Sequence, residues 1–283
     1  MKSPASIQPK HFQWEFSDRV ATITLNRPER RNALNGALIE ALDAAVSSMA
    51  ADEGAKVVVL TGAAPADGLG GFCAGGDVKE GATVLRPDGT RHPTDAGVPR
   101  GALDGDLSRH DRHAAMQLHL MPKPTVAMIG GPAVGAGLSL AAACDLRVAS
   151  HDAVFAASFT PNGLSGDYGG TFFLTSILGT ARTRQLYLLN DKISAQTALE
   201  WGLVHAVVSP RELVEYTTDL ARRLVRTPSS VLALVKDNLN QAEDETQRRR
   251  FLFANEASNQ ELAGANLAAR LRAKAPDSTQ STG

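Results

Sequence analysis

The sequence predicts a layered α/β protein, on three observations. Short β-branched runs alternate with amphipathic stretches, two glycine-rich turns follow buried runs, and the last third turns helical. The first strand is Val20 to Leu25 (VATITL), broken by Asn26-Arg27-Pro28. Asn35 to Met49 then places Leu38, Leu42, Ala45 and Met49 at helical spacing. Val57 to Leu60 (VVVL) reads as a strand buried on both faces and closed by Thr61-Gly62, completing a β-α-β unit. Thr125 to Ile129 is a third strand and runs into GGPAVGAG; Leu138 to Ala143 is helix-forming, and Leu146 to Ala149 is strand-like again.

Residues 81 to 112 are rich in Gly, Pro, Asp, Arg and His and follow neither period. A stretch this long without structure inside a compact domain is expected to be a lid over a pocket. From Ser194, a plausible N-cap, the pattern is helical over 211–224 and 229–274, with a frayed polar tail from about 275. The expected division is a core over residues 1–193 and a helical region over 194–283.

Composition narrows the function. Hydrophobic residues make up 43%, charged residues 21%, and the formal net charge is −1, which fits an ordinary globular protein and gives no basic excess for nucleic acid. No apolar run reaches membrane-spanning length, and MKSPASIQPK is not a signal peptide, so the expectation is a cytoplasmic protein. Cys73 and Cys144 lack metal spacing and are expected to be structural thiols in a reducing compartment.

The turns Phe72-Cys73-Ala74-Gly75-Gly76-Asp77 and Gly130 to Gly137 can each aim free backbone N–H groups at a ligand, as an enolate or tetrahedral oxyanion requires. Glycine pairs also mark ordinary turns. Nucleotide readings fail: Gly130 and Gly135 have P-loop spacing, but Ala136 and Gly137 stand where Lys and Ser/Thr are required, and Leu140 occupies the third glycine position of a dinucleotide fingerprint. Gly137-Leu138-Ser139-Leu140-Ala141 nearly matches a nucleophile elbow, yet it lacks the last glycine, and only His151 and His205 follow to complete a triad. His110, His113 and His119 lack a ligand signature, so no metal is expected.

The run LNRPERRNAL (Leu25 to Leu34), then VVVLTG, FCAGGD, GGPAVGAG leading into AAACDLRVAS, and ALEWGLVHAVV stand in the order and spacing of crotonase (enoyl-CoA hydratase/isomerase) family enzymes, which the chain resembles from about residue 12 to 272. The resemblance implies a spiral of repeated β-β-α units and a C-terminal trimerisation region giving a homotrimer or a dimer of trimers. It also implies an acyl-CoA substrate, with CoA as part of the thioester and no other cofactor. Position by position, it implies oxyanion donors at the N–H of Gly76 and of Ala136. Ala74 would meet the adenine, Ala33 the pantetheine end, and Arg31 a CoA phosphate.

Hydratases of this family use two glutamates to activate water, and this sequence has Ser139 and Phe159 at those positions. Serine cannot serve as a carboxylate base near neutral pH, and phenylalanine neither ionises nor hydrogen-bonds. Asp167, in Gly163-Leu164-Ser165-Gly166-Asp167-Tyr168-Gly169-Gly170, is the only acidic residue from Ala153 to Asn190. The resemblance places there the acid/base aspartate of isomerases that shift a double bond, although an aspartate beside glycines also suits a turn. Tyr168 could orient it, and Ser139, Phe159 and Tyr168 are expected around the substrate. The favoured expectation is an enoyl-CoA isomerase. Alternatives are a hydratase or hydrolase using water activated by Asp167, a non-catalytic CoA-binding protein of this fold, and a serine hydrolase at Ser139.

Overall fold

The computed structural model describes residues 12–66, 68, 70–78 and 113–243. The expected lid over 81–112, with His110, and the helical expectation beyond 243 lie outside the described residues.

Strands β1 (Phe12–Ser17) and β2 (Val20–Leu25) form a hairpin, antiparallel from Phe12↔Leu25 to Ser17↔Val20. Helix α1 (Gly36–Ala51) follows, and the Asn35 side chain accepts the Leu38 N–H at 3.0 Å as its N-cap. Strand β3 (Val57–Gly62) then pairs in parallel with β2, closing the β-α-β unit that the sequence predicts. Helix α2 (Ala114–Leu120) leads to β4 (Thr125–Ile129), β5 (Ala133–Val134), α3 (Ala136–Ala143), β6 (Leu146–Ser150) and β7 (Val154–Ala156). After α4 (Gly170–Arg184), broken at Gly179, come β8 (Ile193–Ser194), α5 (Ala195–Glu200), β9 (Ala206–Val208), α6 (Leu213–Val225) and α7 (Ser229–Glu243).

One sheet runs β1-β2-β3-β4-β6-β9, parallel throughout except for the first hairpin, and a second runs β5-β7-β8. The architecture is mixed α/β with C-terminal helices. The expected boundary at 193/194 falls inside β8, and beyond it the chain returns to the main sheet, where β9 pairs with β6 from Val148↔Ala206 to Ser150↔Val208. Residues after Ser194 therefore complete the sheet as well as supplying helices.

Period-2 alternation in β3 assigns its two faces. Val58 and Leu60 point into the large core with Leu38, Leu42 and Val46 of α1, while Val57 and Val59 point the other way, into a smaller cluster with Val126, Val148 and the α6 residues Leu213 and Ala221. α7 is pinned by Lys236, whose buried ammonium donates to Asp145 Oδ2 at 2.8 Å and to the carbonyls of Leu118 and Lys123.

Candidate active site

Both glycine turns leave the same end of the parallel strands and touch. The Cys73 N–H donates to the Pro132 carbonyl at 3.1 Å and the Val134 N–H to the Cys73 carbonyl at 3.0 Å, so the second turn lies along the first. Glycine is required where they meet. Gly75 has φ +92, and a Cβ there would stand 2.8 Å from the Val134 carbonyl oxygen and 3.6 Å from the Ala136 nitrogen. A Cβ on Gly137 would overlap the Cys73 carbonyl. The Ala136 nitrogen is thus within a few ångströms of the Gly75–Gly76 peptide.

Ala136 is the first residue of α3, where a backbone N–H has no acceptor within its own helix. Among the described residues, neither its N–H nor that of Gly76 donates to another backbone carbonyl. Gly76 is exposed while its neighbours Gly75 and Asp77 are buried. The arrangement offers two backbone donors on adjoining loops.

The segment Arg31 to Leu34 is laced to the first turn: the Ala74 N–H donates to Arg31 O at 3.0 Å, Leu34 N–H to Gly75 O at 2.8 Å, and Asp77 N–H to Leu34 O at 2.8 Å. Ala33, Ala74 and Gly76 are therefore brought together, and Arg31 is exposed beside them. Arg27, buried at 3% exposure, locks this junction. Its guanidinium donates to the Ala33 carbonyl at 2.6 Å and to Asp77 Oδ2 at 3.1 Å, and its own N–H donates to Asn32 Oδ1 at 3.0 Å. Sequence reading quotes both Arg27 and Asp77 within motifs and misses that they pair, because a separation of 50 positions carries no periodic signal.

Asp167 lies in the turn that enters α4, between Gly166 (φ +138) and Tyr168 (φ +52), with the Gly170 N–H donating to its carbonyl at 3.0 Å. The residue keeps some exposed surface, but its Oδ1 reaches neither solvent nor a hydrogen-bond partner. Burial alone pushes the carboxyl up from 3.8 to about 7. Its charge is felt at Cys73 of the first glycine turn, where burial is the larger cause and the thiol is pushed up to about 12. The carboxyl is thus close enough to the first glycine turn for its charge to act there.

The other expected pocket residues divide. Phe159 is buried, stacks on Tyr187 at 5.8 Å between ring centres, and has a ring carbon near Gly135 in the second turn. Tyr168 meets the His113 ring edge-on at 5.8 Å. Ser139 is sealed: it has no exposed surface, its hydroxyl points back to the Gly135 carbonyl at 3.4 Å, and a Cβ on Gly170 would overlap its Oγ. His205 Nδ1 accepts the Arg147 N–H and His151 pairs with Asp152, so no triad assembles on Ser139 among the described residues. His119 is packed against Phe172 and Phe173. Among the described residues no three His, Cys, Asp or Glu side chains gather as a metal site, and no helix is long and apolar enough to cross a membrane.

The family model for enoyl-CoA hydratase/isomerase matches residues 15–266. A 1,2-epoxyphenylacetyl-CoA isomerase of Escherichia coli (strain K12) is 34% identical over 227 residues, covering 80% of this chain and 80% of that one. A 4-chlorobenzoyl coenzyme A dehalogenase of an Arthrobacter species is 31% identical over 243 residues, covering 83% of this chain and 80% of the relative. The crystal structure of an enoyl-CoA hydratase from Mycobacterium tuberculosis H37Rv superimposes with a TM-score of 0.70 at 32% identity, covering 89% of this chain and 99% of that chain.

Proposed function

Because this chain belongs to the enoyl-CoA hydratase/isomerase family, we propose that it moves a double bond within an enoyl-CoA thioester, with Asp167 as the group that carries the proton. The observation that carries this reading is the Asp167 carboxyl, enclosed, unpartnered at Oδ1 and pushed up to about 7, beside a turn with an unused backbone donor. A carboxyl near neutrality can take a proton from one carbon and return it to another. The thioester oxygen, negative in the enolate between those steps, lies between the Gly76 and Ala136 N–H groups. Each preorganised donor is worth about 3 kcal/mol of barrier in a dry site. Arg31, Ala33 and Ala74 line the side on which the CoA portion enters, and Phe159 and Tyr168 border the acyl group. Ser139, buried against Gly170, supports α3 rather than reacting.

A paired-carboxylate hydration mechanism finds no carboxylate at either of its positions, Ser139 and Phe159. Incubation of enoyl-CoA substrates in ¹⁸O-water distinguishes the reactions. Double-bond migration without label incorporation is expected, and label incorporation at a matching rate would replace this reading with hydration. The carboxylate form of Asp167 is the base, so kcat/KM is expected to rise with pH through about 7.

Ala136→Pro tests the oxyanion site. Proline is tolerated at the first position of a helix, and it removes the N–H. Turnover is expected to fall at least 100-fold in a folded variant; undiminished turnover would remove Ala136 from the site.

A trimer, or a dimer of trimers, completes the proposal. Among the described residues α7 leaves Val231, Leu234, Val235 and Leu239 exposed, an apolar surface of the kind that contacts between copies cover. Sedimentation at micromolar concentration should give at least three copies, and a concentration-independent monomer would exclude it.

A further inference from the structure

Asp43 sits on α1, yet its surroundings are those of a site residue. Its Oδ1 accepts the N–H of Ala114, the first donor of α2, at 2.7 Å. Its Oδ2 lies 3.8 Å from His113 Nδ1. The His113 ring in turn meets the Tyr168 ring edge-on at 5.8 Å. Tyr168 follows Asp167 directly and holds φ +52, a left-handed conformation that a tyrosine keeps only when its surroundings impose it. The His113 ring is one such contact, and Asp43 caps the start of α2 while lying within ion-pair distance of His113.

We propose that Asp43 and His113 are positioning residues that hold Tyr168 in its left-handed turn and thereby aim the adjoining Asp167 carboxyl. The proposal rests on the reading of Asp167 as proton carrier. α1, the start of α2 and the turn before α4 then form one mechanical chain: Asp43 to His113, His113 to Tyr168, Tyr168 to Asp167. The electrostatics agree with the contacts. Burial pushes the Tyr168 hydroxyl well above its usual value, and the charges of Asp43, Asp167 and Cys73 add to it. Burial pushes Asp43 up to about 7, opposed by the Ala114 N–H and reinforced by Glu40 one turn back. Among the described residues the charged or titratable groups acting with Asp43 are Glu40 on its own helix, His113 at the start of α2, and Tyr168, which feels its charge.

Asp43→Asn separates this role from plain helix capping, since the amide oxygen still accepts the Ala114 N–H while the charge facing His113 is gone. The variant is expected to melt like the parent at pH 5.5, to lose about 10-fold in kcat for double-bond migration with KM little changed, and to regain most of the rate as Asp43→Glu. In ¹⁵N-histidine NMR of the protein without substrate, the His113 ring signals are expected to shift in Asp43→Asn, and the Tyr168 ring signals to move with them. Because the NMR needs no turnover, it tests the pair whether or not Asp167 carries the proton. Unchanged His113 and Tyr168 signals in Asp43→Asn overturn the proposal even if Asp167→Asn has lost activity. A wild-type kcat in Asp43→Asn beside an inactive Asp167→Asn overturns it as well. Should Asp43→Asn fail to fold, His113→Ala removes the ring contact from the other side and leaves Asp43 capping α2; unchanged Tyr168 ring signals, or a wild-type kcat beside an inactive Asp167→Asn, then overturn the proposal.

Discussion

Asp167→Asn is expected to lower kcat for double-bond migration by about 10²- to 10⁴-fold, the range typical of losing general acid/base help, while acyl-CoA binding survives. Asparagine keeps the size of the side chain and removes only the ionisable group. The same substitution carries a second, opposite signature in stability. A carboxyl whose pKa is raised on folding, here from 3.8 to about 7, binds more protons in the folded state. Its contribution is favourable below the unfolded value and is lost as pH rises through about 7. Wild-type protein should therefore melt lower at pH 8 than at pH 5.5, with Asp43 adding in the same direction. Asp167→Asn should flatten that dependence and melt higher than wild type at pH 8. An inactive, alkaline-stabilised variant is the expected result. Normal migration with an unchanged melting profile would leave Asp167 a turn residue.

Arg27→Met is expected to be the most destabilising single change at the site. Arg27 and Asp77 are 3% and 6% exposed, and truncating the arginine leaves the Asp77 carboxylate buried without its cation. Breaking a buried pair in this way costs about 3–5 kcal/mol, which for a domain of this size lowers the melting temperature by on the order of 10 °C. It also removes the bonds to the Ala33 carbonyl and to Asp77, so the turn keeps only its backbone ties to Arg31 and Leu34. Adding Asp77→Leu should recover much of the stability, since an apolar pair of similar volume removes the buried charge that faced Arg27. Turnover should not recover with it. A single Arg27→Met variant as stable as wild type, by calorimetry, would show that the pair does not hold the junction.

The sequence discloses the elements whose residues repeat regularly. β2, β3 and β4 are β-branched runs, and α1 shows its buried stripe at Leu38, Leu42, Ala45 and Met49. β5, β7 and β8 are two or three residues long, too short for alternation to register, and they exist because neighbouring backbone is already in place. α4 opens after Gly-Gly and is broken at Gly179, which hides its period. At the site, Asp167 is legible because no other acidic residue stands between Ala153 and Asn190. Asp43 is not, because on an amphipathic helix it looks like any solvated position; only the arrival of α2 from 71 residues away encloses it.

The position of α6 sets an order on the making of this protein. Val57, Val59, Val126 and Val148 form the outer face of the sheet, and their cover, Leu213 and Ala221, is synthesised more than 60 residues after the last of those valines. During translation the sheet can assemble with its inner layer closed while that face still meets water. A nascent chain stalled before residue 213 carries a bare patch of valines on pleated backbone, the kind of surface that chaperones bind and that aggregates when they do not.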